Sequence, residues 1–438
     1  VGRSFKYHRP RGFFGAGVDE PYAIVQMNRN NEVDPNVRAT EQELFEGLEA
    51  KSVNCWPNVD FDIGAINNFL NKFFPAGFYY KTFMWPKSFW YKIYEPIIRK
   101  AAGFGAASIK HDKERYEHKY EYCDLLIAGS GPSGLASAYA AAQNGARVIL
   151  AEDKSRFGGS LLTSEVTIGN QSGQEWAEKI ISELKSMPNV VVKNRSQVFG
   201  YYDHNMLVMS ERVSDHLPKT DKYIPKQRLW YIRAKEVVIS SGSIERPLVF
   251  GNNDAPGVML SSAAKEYLKI YGVLVGKKPI IFTNNDSGYE TAIEFKKNGI
   301  DPIILDTRKE ANSEIIKEAK ELNIIIKFSY VVVAAKGYKK VNSADIARIS
   351  DDKKNLSNIE NIKCDCICVS GFWTPSIHLA SQSGNKTKFN EEIDAFIPNQ
   401  SKQKETTLGA ANGVFTLEET LKTSFEKGSE LSKQITNK

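Results

Sequence analysis

Hydrophobic and polar positions in the middle of the chain follow the pattern of a βαβ unit. An apolar strand over residues 123–128 is followed by a glycine-rich turn, an alanine-rich helix over 134–144 and a second strand over 147–152. A strand, a helix and a second strand in this order form the building block of a parallel sheet. The pattern therefore predicts a domain of the α/β class.

A second unit with the same pattern begins at Pro279, although its residues differ from those of the first. Its strands are predicted at 280–283 and 302–306, with a helix over 289–298 between them. Each of the two strands is short and apolar, which is typical of a buried parallel sheet. The chain is therefore expected to have the fold of two dinucleotide-binding (Rossmann-like) domains, of which the second is degenerate and binds no dinucleotide in the ordinary pose.

The order of the remaining elements predicts that one of these domains is inserted in the other. A strand at 364–370 and a helix at 416–423 are expected to return to the first unit and complete its sheet. The predicted first domain then comprises residues 121–271 and 356–438, and the predicted inserted domain comprises residues 272–355.

Two segments without this alternation precede the nucleotide-binding domains. Residues 1–55 hold a basic loop and short strands, which are too few to bury a core alone, and residues 56–120 are rich in aromatic residues and proline. The aromatic residues leave three interpretations open: an internal core, a membrane-facing patch or a partner interface. Aromatic side chains are enriched at interfaces and soluble monomers rarely expose large apolar patches, which favours the partner interface.

Composition places the chain among globular proteins and limits the kinds of partner that are expected. Of 438 residues, 42% are hydrophobic and 25% are charged, and no apolar run is long enough to span a membrane. The net charge of +6 is spread along the chain, so nucleic acid is not an expected partner. Five cysteines and no export signal indicate a reducing compartment, and we expect the cytoplasm.

The first turn carries the sharpest chemical signal, because it reads Gly129-Ser130-Gly131-Pro132-Ser133-Gly134 between a strand and a helix. In the dinucleotide fingerprint the first glycine permits the tight turn, the second lets the backbone approach a pyrophosphate, and the third allows close packing of helix on strand. Free N–H groups at the start of the helix then face the phosphates. The sequence therefore predicts a dinucleotide site at this turn.

Glu152 ends the second strand of this unit, where a carboxylate accepts hydrogen bonds from a ribose diol. A carboxylate repels a 2′-phosphate, so NAD or FAD is favoured over NADP. The fingerprint by itself leaves NAD and FAD as alternatives. The loop over residues 156–160 supplies a second pair of glycines where the pyrophosphate is expected to pass.

Other motifs in the sequence favour structural roles. The second turn, residues 283–288, has a glycine only at its last position, and Asp286 adds a charge that repels a pyrophosphate. Cys364, Cys366 and Cys368 have the period of a strand and are expected to share one buried face, because they lack the spacing of a metal or redox site. The six histidines show no metal-ligand spacing, and no metal site is predicted.

Several long phrases resemble the α subunit of heterotetrameric sarcosine oxidase. They lie at residues 1–12, 74–83, 242–248 and 409–415, so that the resemblance runs through nearly the whole chain. It implies a subunit of two dinucleotide-binding domains that holds NAD noncovalently. It also implies partner β, γ and δ subunits, with FAD in the β subunit and FMN at the boundary between α and β.

The resemblance implies a role in the oxidative demethylation of sarcosine to glycine. In this family the one-carbon unit passes to tetrahydrofolate and the electrons pass to oxygen as hydrogen peroxide, while the amine is oxidised at the FAD of the β subunit. Alternatives are an α-type subunit of a related amine or opine dehydrogenase, a cyanide-forming glycine dehydrogenase, and a scaffold that holds NAD without turning it over.

The sequence departs from the family at both ends. Residues 1–55 resemble a partial β-grasp ferredoxin without its opening strands, and they contain no pair of cluster-ligating cysteines, so an iron–sulfur centre is not expected. The chain starts at Val1, and we expect that a natural N-terminus precedes it. No folate-binding half follows Lys438, which indicates a fragment or a separately encoded folate unit.

We assign expected roles to the residues of the NAD site as follows. Gly129, Gly131 and Gly134 lie at the pyrophosphate, Glu152 and Asp153 at the adenosine ribose, Lys154 beside the adenine, Ser160 near the pyrophosphate, and Val198 against the adenine; Asn412 and Gly413 begin the last helix near the cofactor. No catalytic residue is assigned.

Overall fold

A computed structural model of the protein describes residues 11–436, except for residues 19, 21, 30–31, 54, 59, 71–72, 74–82, 106–107 and 219–220. The chain divides into two compact units, one formed by Val1–His111 and Glu245–Phe372 and the other by Asp112–Ile244 and Trp373–Lys438. We call them the N-terminal unit and the glycine-turn unit. The basic loop over residues 3–10 and most of the phrase at 74–83 lie outside the described residues.

The strands of the described chain are β1 (Ile24–Arg29), β2 (Glu32–Arg38), β3 (Glu49–Lys51), β4 (Tyr116–Ala128), β5 (Val148–Ala151), β6 (Thr167–Ile168), β7 (Gln171–Ser172), β8 (Val190–Lys193), β9 (Ser196–Tyr202), β10 (Met206–Arg212), β11 (Gln227–Ile239), β12 (Ser243–Glu245), β13 (Val258–Leu260), β14 (Pro279–Thr283), β15 (Ile303–Asp306), β16 (Ile325–Phe328), β17 (Tyr330–Lys336), β18 (Ser343–Arg348), β19 (Glu360–Lys363), β20 (Cys366–Ser370), β21 (Trp373–Pro375), β22 (Lys386–Asn390), β23 (Ala395–Gln400) and β24 (Glu405–Thr407). The helices are α1 (Asn67–Leu70), α2 (Glu95–Ala102), α3 (Pro132–Gln143), α4 (Gly173–Ser186), α5 (Ser261–Tyr271), α6 (Ser287–Lys297), α7 (Glu314–Glu321), α8 (His378–Gln382) and α9 (Leu417–Thr436).

The glycine-turn unit is built on a sheet with the order β8-β5-β4-β11-β10-β9, with β24 beside β11. Leu125 and Ile127 of β4 face a cluster formed with α3 and α4, whereas Leu126 and Ala128 face a second cluster on the opposite side. Burial on both faces explains why this part of β4 is continuously apolar. The sheet therefore holds its central strand, and the turn that follows it, in a rigid core.

Small residues let the last helix pack closely on the first helix of this unit. A Cβ atom at Gly428 of α9 would lie 2.4 Å from the carbonyl oxygen of Ser137 in α3, so only glycine fits at that position. Helix α9 runs to Thr436, well beyond the predicted end at 423, because Leu431 is buried in the hydrophobic cluster that β4 forms with α3 and α4.

The N-terminal unit contains a second parallel sheet, with the order β13-β20-β14-β15-β16. Helices α5, α6 and α7 cover one face through a cluster that includes Tyr289 and Phe295, both fully buried. The antiparallel strands β17, β18 and β19 cover the other face, where Val332 and Ile346 pack against residues of the parallel sheet. This arrangement is the second Rossmann-like unit expected from the sequence.

Strand β20 lies inside this second sheet, between β13 and β14, although it was expected in the first domain. It pairs with β14 from Pro279 to Thr283 and with β13 on its other side. The stretch between the two parts of the glycine-turn unit is therefore Glu245–Phe372, which is longer than the predicted insertion of 272–355. An apolar strand fits any buried parallel sheet, so its pattern does not reveal which sheet takes it.

The cysteines of this region are buried, but they do not share one face as expected. Cys366 and Cys368 belong to the cluster beneath the helices, whereas Cys364 belongs to the cluster on the other side of the sheet. The reason is that β20 begins only at Cys366, so the alternation of a strand does not extend back to Cys364.

The N-terminal unit also contains a small antiparallel sheet with the order β2-β1-β3. A buried carboxylate holds the loop before it, because Glu20 accepts hydrogen bonds from the backbone N–H groups of Phe14, Gly15 and Tyr22. Among the described residues, no helix has the length and apolar character required to cross a membrane.

Candidate dinucleotide-binding site

The turn after β4 has the backbone conformation that the fingerprint requires. Gly129 has a φ of +104°, and a Cβ atom there would lie 2.3 Å from the carbonyl oxygen of Ser240. A Cβ atom at Gly134 would lie 1.9 Å from the carbonyl oxygen of Gly129. Both positions therefore accept only glycine, and helix α3 starts in direct contact with the end of β4.

Gly131, the middle glycine, faces open space. It is the N-cap of α3, with an extended backbone, and a Cβ atom at this position would meet no atom within 4 Å. The first turn of α3 contains Pro132 and no acidic residue, so the N–H groups at the helix start are not occupied by a carboxylate of that turn. The open space beside these N–H groups fits a pyrophosphate.

Glu152 is fixed against the turn by hydrogen bonds from Ser130. Its Oε2 atom accepts bonds from the Ser130 backbone nitrogen at 2.9 Å and the Ser130 hydroxyl at 2.6 Å, and its Oε1 atom accepts a bond from the backbone nitrogen of Lys154 at 3.0 Å. A carboxylate can accept about four hydrogen bonds, so acceptor capacity is left for a ribose hydroxyl. The hydroxyl of Ser130 was not singled out from the sequence, because any residue can occupy that position of the fingerprint.

Burial, together with a side-chain hydrogen bond to the neighbouring Asp153 and the charge of that residue, raises the pKa of Glu152 to about 8. Hydrogen bonds from Ser130 and Lys154 act in the opposite direction, because they stabilise the charged form. A ligand whose hydroxyls donate to Glu152 would also favour the charged carboxylate. Binding at this position is therefore coupled to the protonation of one buried acid.

The loop that carries Gly158 and Gly159 lies directly on the turn. The backbone nitrogen of Gly158 donates to the carbonyl oxygen of Ser130 at 3.1 Å, and a Cβ atom at Gly159 would lie 2.8 Å from the Cα atom of Gly131. Ser160 follows at once and is exposed. The structure therefore brings Ser160 and the three fingerprint glycines to the same place.

A third glycine-bearing segment reaches the start of α3 from the far end of the chain. A Cβ atom at Gly409 would lie 2.8 Å from the Cβ atom of Ser133. Gly409 begins a single helical turn that ends at Asn412, and Gly413 follows with a φ of +80°. Asn412 and Gly413 do not begin the last helix as expected, because α9 starts only at Leu417; they end a separate turn that packs against the start of α3.

The other expected residues extend away from the turn along the sheet. Lys154 lies beside Glu152 through its backbone, and the carbonyl oxygen of Asp153 accepts a bond from the Arg212 guanidinium at 2.7 Å. Val198 lies in β9 and packs against the hydrophobic cluster that contains Tyr201. No described contact joins Val198 to the glycine turn, and its role at the adenine stays a prediction.

The corresponding turn of the second Rossmann-like unit is filled by its own side chains. Arg308 forms an ion pair with Asp286 at 2.8 Å and hydrogen bonds to Asp306 at 2.8 and 3.1 Å. Asp306, the acid at the end of the second strand, is fully buried and also accepts a bond from the Tyr289 hydroxyl at 2.7 Å. In this unit the acceptor positions that a ribose would use are occupied by protein groups.

The comparisons with known proteins agree with this fold. The family model described as pyridine nucleotide-disulphide oxidoreductase matches residues 123–400, which is more than half of the chain. The chain belongs to the pyridine nucleotide-disulphide oxidoreductase family. This membership confirms the predicted Rossmann-like α/β fold and the predicted oxidoreductase class. The thioredoxin reductase of T. acidophilum has a similar fold, with a TM-score of 0.54 and 16% identity over 72% of this chain and 98% of that one.

Curated relatives of this oxidoreductase confirm the resemblance to sarcosine oxidase. The sarcosine oxidase α subunit from Rhizobium meliloti (strain 1021) is 45% identical over 413 residues, which are 94% of this chain and 41% of the relative. The α subunit from Corynebacterium sp. (strain U-96) is 28% identical, with 94% of this chain and 38% of the relative covered. The chain thus spans about two fifths of the length of these relatives. An opine oxidase subunit from Agrobacterium tumefaciens (strain Ach5) is 26% identical over only 37% of this chain and 33% of its own length.

A second family model, the 2Fe-2S iron-sulfur cluster binding domain, matches residues 1–55. This confirms the ferredoxin-like character of the segment. The residues do not fit a cluster, however, since such clusters are held by four ligands, and the matched range contains Cys55 as its single cysteine. Among the described residues, no three His, Cys, Asp or Glu side chains are grouped as metal ligands.

We predict that Arg308→Ala destabilises the oxidoreductase by roughly 3 kcal/mol, because the variant leaves the buried charge of Asp306 without its cation. The free energy of unfolding, measured with urea, tests this expectation. Lys309→Ala is the matched control: its ion pair with Asp351 is exposed on both sides, and its loss should cost no more than about 0.5 kcal/mol. Equal unfolding midpoints for the two variants would show that the Arg308 cluster does not stabilise the fold.

Proposed function

We propose that this chain is the NAD-binding part of the α subunit of a heterotetrameric sarcosine oxidase. The observation that carries the proposal is the open space at Gly131. It lies beside the glycine loop at 158–159 and next to Ser130, which holds Glu152, in a chain that is 45% identical to such a subunit. The opine oxidase alternative is less well supported, because the two opine oxidase relatives are only 26% and 21% identical, over 37% and 64% of this chain.

In the proposed complex the amine is oxidised outside this chain. Sarcosine is demethylated to glycine at the FAD of the β subunit, the one-carbon unit passes to tetrahydrofolate, and oxygen is reduced to hydrogen peroxide. FMN lies at the boundary with the β subunit, and the γ and δ subunits complete the assembly. NAD, when bound, supplies a nicotinamide that can accept or donate hydride.

The role of this chain's own residues is to hold the dinucleotide. The N–H groups at the start of α3 donate to the pyrophosphate, and the space beside Gly131 admits it. Glu152 accepts from the adenosine ribose and disfavours a 2′-phosphate, which selects NAD over NADP. In this proposal the rest of the dinucleotide lies along six further residues: Asp153, Lys154, Ser160, Val198, Asn412 and Gly413.

We place the protein in the cytoplasm, and we place its partner interface in the aromatic segment. All five cysteines are free thiols, in keeping with a reducing compartment. In the described part of the segment, Phe61, Phe69, Trp85 and Tyr91 expose between 65% and 83% of their surface. Phe83, Trp90 and Tyr94 instead pack around the buried Ile98, so the segment holds a small core of its own beside the exposed rings.

The first test is the identity of the bound nucleotide. We expect the purified chain to release NAD on denaturation, because the turn and Glu152 form a complete site. Chromatography of the supernatant, with NADP and FAD as standards, measures this. A supernatant that contains only flavin would overturn the NAD assignment and leave the fold unaffected. NAD that never changes redox state during turnover of the complex would favour the scaffold alternative.

Substitutions at the site should weaken NAD binding to different degrees. Glu152→Ala should cost about 1–3 kcal/mol of binding free energy through the lost hydrogen bonds. Gly131→Val should cost more, because its side chain occupies the space of the pyrophosphate, while the protein without NAD has room for it. Titration calorimetry measures both, with thermal melting as the control for folding. Equal affinities of the wild type and Gly131→Val would show that the pyrophosphate lies elsewhere.

The affinity for NAD should also rise with pH toward a plateau above about 8. The folded acid has a raised pKa, so lowering the pH protonates Glu152 and removes the charged acceptor that the ribose hydroxyls favour. The same titrations repeated between about pH 6 and 9 test this, and Glu152→Ala should lose the dependence. A pH profile that is unchanged in the variant would assign the effect to another group.

The aromatic segment should be protected by a partner. Hydrogen exchange over residues 73–94, and over the basic residues 3–11, should slow when a flavin-bearing β subunit is added. The aromatic rings and the Arg and Lys side chains would then be covered. Equal exchange rates in the isolated chain and in the mixture would show that these segments pack within the chain.

A further inference from the structure

Ser130 joins three parts of the glycine turn. The residue is fully buried, and its backbone nitrogen and its hydroxyl both donate to the Oε2 atom of Glu152, at 2.9 and 2.6 Å. Its carbonyl oxygen accepts a bond from the backbone nitrogen of Gly158 at 3.1 Å. One residue therefore links the acid after β5 to the glycine loop beside the open space at Gly131.

The hydroxyl of Ser130 makes a contribution that the backbone cannot supply. Any residue except proline at this position would offer its N–H to Glu152, and the fingerprint leaves the choice of side chain open. An O–H···O distance of 2.6 Å is typical of a bond to a charged oxygen. Because such a bond stabilises the carboxylate, the hydroxyl favours the form of Glu152 that only accepts hydrogen bonds.

The second Rossmann-like unit shows that the fold does not require a bond from this position to the acid. Asn284 corresponds to Ser130, and its Oδ1 atom accepts a bond from the side chain of the next residue at 2.9 Å. The acid of that unit, Asp306, is held by the Arg308 guanidinium at 2.8 Å. An arginine neutralises an acid, whereas a hydroxyl fixes it without adding a positive charge. Ser130 thus leaves the negative charge of its acid available to a ligand.

Opposing effects determine whether Glu152 is charged. Burial and the neighbouring Asp153 act against the charged form and raise its pKa to about 8, whereas the hydrogen bonds from Ser130 and Lys154 lower it. Loss of the Ser130 hydroxyl alone would remove one of the stabilising bonds and keep those of the backbone. The balance should then move toward the neutral acid.

Charged side chains on the neighbouring segments also belong to the environment of Glu152. The Lys193 ammonium, at the end of β8, is bonded to Glu211 at 3.0 Å, and the Arg212 guanidinium is bonded to the carbonyl oxygen of Asp153 at 2.7 Å. The charged residues of the segments packed against the acid are Asp153, Lys154, Lys193, Arg195, Glu211 and Arg212. Variants that differ only in the glycine turn keep the effects of these groups constant.

We propose that Ser130 is a positioning residue for the dinucleotide, whose hydroxyl fixes Glu152 and stabilises the charged form that accepts from the ribose. The inference rests on the proposed function, because it takes a ribose hydroxyl as the ligand of Glu152. Ser130 itself is fully buried and acts through the acid, without a contact to the nucleotide of its own.

Ser130→Ala tests the inference through the pH dependence of NAD binding. The variant loses one hydrogen bond to a charged group, so the midpoint of the pH profile should move up by about one pH unit. Titration calorimetry should give a dissociation constant about tenfold above that of the wild type at about pH 7. The ratio should fall below about twofold at about pH 9.5, where the acid is charged in both proteins. A purely structural role would weaken binding by the same factor at every pH.

Two further variants serve as controls. Ser133→Ala removes a hydroxyl of the same turn, which is bonded to the hydroxyls of Ser240 and Ser424 at 3.1 Å each and has no described bond to Glu152. Whatever its affinity, its pH midpoint should be that of the wild type. Glu152→Gln removes the titrating group, so adding Ser130→Ala to it should give a pH profile without this midpoint.

The same midpoint is measurable without nucleotide. Carbon NMR of isotope-labelled glutamate carboxyl groups, with Glu152→Gln to assign the signal, follows the titration of Glu152 directly. In Ser130→Ala this signal should titrate about one pH unit higher than in the wild type. Ser130→Cys keeps a weak donor of similar size and should give an intermediate midpoint. Far-UV circular dichroism checks that each variant is folded.

Two results would overturn the inference. One is a Glu152 signal that titrates at the same pH in the wild type and in the Ser130 variants, whichever nucleotide the protein binds. The other is a ratio of dissociation constants that stays constant with pH, since the hydroxyl would then act only through the structure of the turn. A shifted signal in a protein that binds no NAD would support the action of Ser130 on Glu152 and count against the NAD assignment alone.

Discussion

The candidate site depends on a backbone contact that leaves no room for a side chain. The carbonyl oxygen of Gly129 lies where a Cβ atom of Gly134 would be, at 1.9 Å, and this contact places the start of α3 directly on the end of β4. The other parts of the site follow from it. The loop at Gly159 and the turn at Gly409 reach the same helix start, each through another position that only glycine fills.

Side chains then add a hydrogen-bond acceptor beside the N–H donors at this contact. Ser130 lies inside the turn and holds Glu152 with both its backbone nitrogen and its hydroxyl. At Gly131, the next residue, no atom fills the space that a side chain would occupy. A buried acceptor therefore lies beside N–H donors at a helix start, which is the combination that the ribose and the pyrophosphate of a dinucleotide require.

The two Rossmann-like units show that topology alone does not make a nucleotide site. Both have the order strand, turn, helix, strand and acid, and in both the acid is buried. Glu152 retains acceptor capacity, whereas Asp306 is occupied by Arg308 and Tyr289. One unit is thus arranged to bind a ligand, and the other replaces the ligand with an internal cation. Function lies in the residues placed on the fold.

The sequence by itself determined the two βαβ units, the fingerprint turn and the acid after it. The periodicity of apolar residues and the spacing of glycines are visible within short segments of the chain. Tertiary structure decided what those local patterns leave open. It placed β20 in the second sheet, since an equally apolar strand suits either sheet, and it placed Cys364 on the opposite face from Cys366. It also paired Ser130 with Glu152 and Arg308 with Asp286, contacts between residues 22 positions apart in each case. Such contacts depend on how strands and helices pack, and no local pattern encodes them.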